Sequence, residues 1–368
     1  MHFYIFFIQI FCFSFAFSHP LINKMTLEEK VGQVMMVHFY GEVGNAEAEK
    51  LIRQINVGGI IYYNWSNGLH SPQQVQALSQ SLQNLSRDTR LSIPLLIAVD
   101  QEGGAVARLT NGFTVFPGNK AIGMTGDSNL AKEAACTMGK ELFKAGINLN
   151  FAPVADINGS IKPVLETRCF GDNPEIVIAF AQKALEGYRE AGILSTLKHF
   201  PGHGSVEIDS HFDLPLVLKS MEELRQVDLL PFAKLASEAD AIMTAHLLVP
   251  AFDRDNCSTL SKKTLSYLRE KIGFKGMIVT DSLVMEGVLK KCGSVAEAAI
   301  LALNAGCDLL LLGGKQLHGE KACYELTVED IARIHKSIVD AVKSGRILET
   351  RLDEAIEKIL LLKNKLTL

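Results

Sequence analysis

The stretch IPLLIAVD, residues 93–100, runs for seven positions without a charged or hydrogen-bonding side chain and stops at a carboxylate. A strand with one face in water alternates apolar with polar side chains. An unbroken apolar run instead marks a strand covered on both faces, as in a parallel sheet flanked by helices. Seven further runs are near-continuously apolar: QVMMVHF (33–39), GGIIYY (58–63), INLNFAPVAD (147–156), GILSTLKHF (192–200), DAIMTAHLL (240–248), GMIVTDSL (276–283) and CDLLLLGG (307–314). Segments of helical period separate them, among them SPQQVQALSQSLQNLSR from Ser71, SNLAKEAACTMGKELFKAG from Ser128, PEIVIAFAQKALEGYREAG from Pro174 and SVAEAAILALNAG from Ser294. Ser or Pro opens several of these segments and Gly closes them, as helix ends require. Eight strand-like runs with helices between them, and no Pro- or Gly-rich linker, predict an α/β fold. The expected architecture is a TIM (β/α)8 barrel forming a single catalytic domain over residues 19–368. A doubly wound open sheet is the alternative. From Thr327 onward the chain reads as amphipathic helices that complete the outer layer.

Bulk properties narrow the function. With 368 residues and 48% hydrophobic content the chain can bury a large core, and a globular enzyme is expected. The net charge of −4, without runs of like charge, excludes the electrostatic footprint of a nucleic-acid binder and suits a small-molecule or glycan partner. Neither a G-x-G-x-x-G after the first run nor a G-x-x-x-x-G-K-[ST] occurs, so no nucleotide cradle is indicated. The seven cysteines contain no C-x-x-C pair, and isolated thiols are expected rather than a zinc or redox motif; no metal or cofactor is implied. The N-terminal MHFYIFFIQIFCFSFAFSHP is Phe-rich and ends in small residues at Ala16 and Ser18, the pattern of a signal peptide cut before His19, although no Lys or Arg precedes the apolar stretch. Residues 1–18 are therefore expected to be a signal peptide or N-terminal hydrophobic segment, with an uncleaved anchor as the alternative. A working signal would make the chain periplasmic or extracellular, with no stable membrane span after its removal. Without one the chain would be cytoplasmic. A monomer is expected.

Polar residues gather at the C-terminal ends of the runs. Asp100, Gln101 and Glu102 lie at or just beyond the end of the third, Asp156 and Asn158 of the fourth and Lys198 and His199 of the fifth, while His246 lies in the sixth and Asp281 in the seventh. A barrel brings these ends to one face, where its active site is built. The densest cluster is LKHFPGHGSVEIDSHFDLP, residues 197–215, with three histidines, a lysine and two aspartates among two prolines and two glycines. Such punctuation gives a loop sharp turns and hinges.

KHFPGHGSVEIDSHFDLP, together with VTDSLVMEGV, AVDQEGGAVARL, NFAPVADIN and TRCFGDNP, resembles the single-domain, NagZ-type β-N-acetylhexosaminidases of glycoside hydrolase family 3. The resemblance is colinear from about Leu27 to Leu312. It implies that Asp281 is the nucleophile of a retaining mechanism, which needs a carboxylate and a proton donor on opposite sides of the glycosidic bond. It implies that His211 is the acid/base and Asp209 its orienting carboxylate. At i, i+2 in an extended loop the two side chains share one side, where a carboxylate holds the imidazole's tautomer and raises its pKa. Asp100, Arg108, Arg168, Lys198 and His199 match the family's sugar-binding set. The implied partner is an N-acetylglucosamine-containing oligosaccharide or glycopeptide.

For His203 a turn contact is expected, and for His246 a satisfied strand histidine and a site residue weigh equally. Glu102 and Arg108 form a candidate ion pair. Ala105 stands where many relatives carry Arg, which removes one peripheral contact. Three readings follow: an exo-acting β-N-acetylhexosaminidase (peptidoglycan or chitin-type substrates), a phosphorylase that passes the same sugar to phosphate, or a barrel that binds amino sugars without turnover.

Overall fold

The computed structural model describes residues 19–159, 165, 167–204, 206, 210, 213–318 and 321–366, and at 317, 318 and 321–323 the backbone alone. All eight apolar runs are barrel strands: β1 (Met35–Val37), β2 (Gly59–Ile61), β3 (Leu96–Val99), β4 (Leu149–Asn150), β5 (Leu194–Phe200), β6 (Ala241–Thr244), β7 (Met277–Val279) and β8 (Leu310–Leu311). They pair in parallel in the order β8-β1-β2-β3-β4-β5-β6-β7. A parallel bridge between Val279 and Leu309 joins β7 to β8 and closes the ring, so the barrel is realised and the open sheet is not. Every barrel-strand residue is buried. Covering a Leu, Ile or Val side chain contributes about 1.5–3 kcal/mol each, which favours closure over an open edge.

Helices cover the outer face: α1 (Leu27–Gln33) before β1, α2 (Pro72–Arg87), α3 (Asn129–Lys144) and α4 (Pro174–Ala191) between successive strands, α5 (Glu286–Cys292) and α6 (Val295–Ala305) after β7, and α7 (Val328–Lys343) and α8 (Glu349–Lys363) at the C-terminal end. Their starts follow the expected chemistry. The hydroxyl of Ser71 accepts from the amide of Gln74 with Pro72 in the first turn, and the side chain of Asn173 accepts from Ile176 ahead of Pro174. Ser128 does not cap α3; Asp127 accepts the Asn129 amide instead, because Ser128 is already in the helical region. Helices α3 and α4 pack closely at Gly187, where a Cβ would lie 2.4 Å from the carbonyl oxygen of Lys132.

The strands' N-terminal ends are sealed by α1 and α8. Lys30 pairs with Glu349 at 2.9 Å and Asp353 at 2.6 Å. The buried Lys363 ammonium donates to the side chain of Gln33 at 2.9 Å, and His19 meets Asn364 at 3.3 Å. The opposite ends open into the cavity described next. Cys136, Cys169, Cys257, Cys292 and Cys307 are free thiols, as expected. Among the described residues no helix is long and apolar enough to cross a membrane.

Candidate active site

At the C-terminal ends of the strands lies a cavity of about 380 Å³ whose lining includes Asp100, Arg108, Arg168, Lys198, His199 and Asp281. Six residues chosen from sequence thus converge, although they come from four different strand ends and the loops after them. Asp209 and His211 lie outside the described residues.

The cationic side chains are held by an alternating ion network. The Lys198 ammonium, buried in β5, sits 2.9 Å from Asp100 and 2.7 Å from Glu102. Glu102 in turn accepts two hydrogen bonds from Arg168, from Nε at 2.9 Å and Nη2 at 2.7 Å. Such a two-pronged contact fixes the guanidinium plane. Burial alone would raise the Glu102 pKa, but Arg168 and Lys198 outweigh it and hold the carboxyl well below the usual carboxylate range. Burial likewise opposes the Lys198 charge, while Asp100 and Glu102 more than offset it and keep its pKa above the ordinary value. The expected pairing of Glu102 with Arg108 is not formed. Arg108 instead approaches Asp100 at 3.9 Å, since the chain turns back after Gly103 and carries Arg108 across to the end of β3. That turn is built by Gln101, whose side chain accepts from the amides of Arg108 and Leu109 and donates to the Leu109 carbonyl. The Nε of Arg108 is buried without a hydrogen-bond partner among the described residues, a donor left for a ligand oxygen.

His199 is oriented from below. Its Nδ1 lies 2.6 Å from the fully buried Asp156 carboxylate, which also accepts the amides of His199 at 3.2 Å and His203 at 2.6 Å. Burial would raise the Asp156 pKa; the His199 ring and these donors reverse that and hold it low. The other ring nitrogen of His199, Nε2, faces Arg168 Nη2 at 3.5 Å. Asp156 is a supporting group that sequence reasoning placed near the site without giving it a role. His203 makes the expected turn contact through its amide, and its ring also borders the cavity, with Nε2 3.0 Å from the hydroxyl of Ser210. Burial, then the nearby His199, pushes the His203 pKa down.

Asp281 leaves the end of β7 and accepts the Ser282 amide on Oδ1 at 2.7 Å. Ser282 is itself clamped: its hydroxyl donates to the Gly313 carbonyl at 2.6 Å, and its carbonyl accepts from His246 Nε2 at 2.9 Å. The other ring nitrogen of His246 lies 2.8 Å from Thr259 Oγ1, so His246 is a satisfied buried histidine. After β5, Ser210 is held by the amide of Gly287 at 3.1 Å, and Asp213 pairs with Lys290 of α5 at 2.9 Å.

One wall of the cavity was not foreseen. Trp65 stacks on Tyr63 with ring centroids 5.0 Å apart, and the Lys315 ammonium lies 4.1 Å above the Trp65 ring. Lys315 is tied to Glu325 at 2.9 Å across the antiparallel pair Lys315–His318 and Lys321–Glu325, and Tyr40 donates to the same carboxylate at 2.5 Å. The signals available were the single Trp of the chain and an aromatic pair just after a strand end. Among the described residues no three His, Cys, Asp or Glu side chains are placed to hold a metal ion.

Strand-end carboxylates and cations facing one cavity at the mouth of a closed barrel sit where a TIM-barrel enzyme builds its active site. Comparison with known proteins agrees. The model of the glycosyl hydrolase family 3 N terminal domain matches residues 26–362, and the chain belongs to that family. A β-hexosaminidase of Tolumonas auensis is 40% identical over 284 residues, covering 75% of this chain and 81% of that protein. β-Hexosaminidase A of Pseudoalteromonas piscicida is 33% identical over 384 residues, covering 93% of this chain, which spans only 62% of that relative's length. Among solved structures, a family 3 β-N-acetylglucosaminidase from Paenibacillus sp. superposes with a TM-score of 0.85 at 42% identity, covering 93% of this chain and 62% of that one. A β-N-acetylhexosaminidase from Beutenbergia cavernae gives 0.82 at 27% identity, covering 92% and 99%.

Proposed function

We propose that this chain is a retaining exo-β-N-acetylhexosaminidase that releases terminal β-linked N-acetylglucosamine from peptidoglycan- or chitin-type glycans. The observation that carries the reading is the convergence of Asp281 with Asp100, Arg108, Arg168, Lys198 and His199 on one cavity. In the first step an Asp281 carboxylate oxygen bonds to the anomeric carbon as the C–O bond to the leaving group breaks, and His211 gives its proton to the departing oxygen. In the second step His211 takes a proton from water, the water oxygen bonds to the anomeric carbon and the Asp281 ester bond breaks, so the configuration is retained. A histidine suits both steps because its unperturbed pKa of about 6.5 lies near neutral pH. The roles of His211 and Asp209 rest on the family motif. Asp100 accepts from sugar hydroxyls, while Arg108, Arg168 and Lys198 donate, and the buried network keeps these groups in place before substrate arrives. Residues 1–18 are proposed to direct export, and residues 19–368 to act as one catalytic unit.

The test is hydrolysis of an aryl β-N-acetylglucosaminide by residues 19–368, with an aryl β-glucoside as control and with phosphate present or absent. Cleavage of the N-acetyl substrate alone, loss of turnover in Asp281→Ala, and a deglycosylation block in His211→Ala are expected. A sugar phosphate as main product would overturn the hydrolase assignment in favour of phosphorolysis, and no turnover of either substrate would leave a binding protein.

A further inference from the structure

The candidate nucleophile is oriented through a residue that does not touch the cavity. We infer that His246 is a positioning residue for Asp281, acting through Ser282, whose carbonyl it holds and whose amide meets the carboxylate; this rests on the reading of Asp281 as nucleophile. The hydrogen bonds run in one direction. The Ser282 carbonyl can only accept, so His246 Nε2 carries the hydrogen across their 2.9 Å contact. Nδ1 is then the acceptor for the Thr259 hydroxyl at 2.8 Å, a shorter contact than that hydroxyl's 3.1 Å approach to the Ala245 carbonyl. Thr259 Oγ1 in turn lies 2.9 Å from Thr244 Oγ1, which can donate to it. Thr244, Thr259 and His246 thus form a relay, all fully buried, that ends on Ser282.

Ser282 receives this relay on its carbonyl, gives its hydroxyl hydrogen to Gly313 beyond β8 and gives its amide hydrogen to Asp281 Oδ1 at 2.7 Å. Three elements, the end of β6, the turn Ser258–Leu260 and the loop after β8, therefore restrain Ser282 through its carbonyl, in the peptide to Leu283, and through its hydroxyl; its amide, in the preceding peptide and joined to these only through its Cα, sets one oxygen of the Asp281 carboxylate. In-line attack on an anomeric carbon depends on that orientation, and a displacement of about 1 Å costs on the order of 100-fold in rate. If the relay is lost, Ser282 keeps its place in the chain but loses the restraint on its carbonyl.

The experiment compares wild type, His246→Leu, His246→Gln and Thr259→Val in hydrolysis of an aryl β-N-acetylglucosaminide. Each is also timed for covalent labelling by an activated 5-fluoro N-acetylglucosaminide, which reports attack by Asp281 directly. In His246→Leu, kcat and the labelling rate are expected to fall together by about 10–100-fold while KM stays within about threefold. His246→Gln, which offers an N–H donor and a carbonyl acceptor on one side chain, is expected to recover most of the loss. Thr259→Val keeps the imidazole but removes its orienting hydroxyl and is expected to lose about 3–10-fold, so the inference stays testable if His246→Leu does not fold. Labelling at the wild-type rate in folded His246→Leu and Thr259→Val, or a change confined to KM, would overturn it. If wild type itself turns over no N-acetyl substrate, the functional reading fails instead. Crystal structures of wild type and the variants then decide the inference: a rotated Asp281 carboxylate supports it, and an unmoved one overturns it.

Discussion

Replacing Glu102 by Gln keeps the side chain's shape and removes its charge at the centre of the ion network. Glu102 is 2% exposed and lies within 2.9 Å of both Lys198 and Arg168, so Glu102→Gln leaves the buried Lys198 with Asp100 as its remaining carboxylate and the half-buried Arg168 facing a neutral amide. Breaking a buried pair from one side costs about 3–5 kcal/mol, most of it the penalty of the charge left behind. An unfolding entropy of about 2.1 cal/mol/K per residue over roughly 350 folded residues turns that into a Tm lower by about 4–7 °C. The carboxyl's pKa is depressed in the folded state, so its contribution is complete above the unfolded value of about 4.3 and is lost as pH falls toward the folded value. The gap between wild type and variant should therefore hold at pH 7 and narrow only in acid. Calorimetric scans of both proteins at pH 7 and at pH 4 measure it, with kcat/KM as a second readout expected to drop at least tenfold as Arg168 and Lys198 lose their anchor. A Tm within about 1 °C of wild type at pH 7 would refute the claim that the network's charge, rather than its packing, holds the cavity in shape.

Two further outcomes are expected. Lys363 is buried at the closed end of the barrel, and burial pushes its pKa down from 10.5 to about 7. The unfolded chain keeps that proton up to about pH 10.4, so stability contributed at this site rises with pH between those values. Lys363→Met should remove that slope and add about 3 kcal/mol at neutral pH, even with the hydrogen bond to Gln33 lost, and urea titrations at pH 6.5 and pH 9.5 reveal it. At Gly287 a Cβ would stand 2.7 Å from the carbonyl oxygens of both Ser210 and Asp213, backbone atoms that cannot swing aside. Gly287→Ala should therefore displace the segment after β5, slowing cleavage of unactivated glycosides more than of aryl glycosides with good leaving groups, at a stability cost of about 1–3 kcal/mol. Equal slowing of the two substrate types would contradict it.

The barrel was legible because parallel strands buried on both faces leave near-continuous apolar runs, and each of the eight read between residues 33 and 314 became a strand. Asp100, Lys198, His199 and Asp281 were legible for the same reason, since a polar residue that ends such a run is delivered to the open face. What escaped depends on loops meeting across the mouth. Glu102 and Arg108 are near in sequence and suggested a pair, yet Glu102 reaches Arg168 in a later loop while the tight return after Gly103 aims Arg108 at Asp100. The wall of Trp65 and Lys315 joins residues 250 positions apart, and no local pattern announces a contact of that span. His246 looked the same from sequence whether it served the core or the site; only its contact with the Ser282 carbonyl distinguishes the two.

The seam between α1 and α8 also governs how the protein can be handled. His19 meets Asn364 on the sealed side, behind the Lys30 and Lys363 contacts, while the cavity opens at the far ends of the strands. A tether, fusion partner or affinity resin joined ahead of residue 19 therefore departs from the back of the barrel. A chain immobilised in that way presents its cavity outward, open to ligands too large to diffuse behind it.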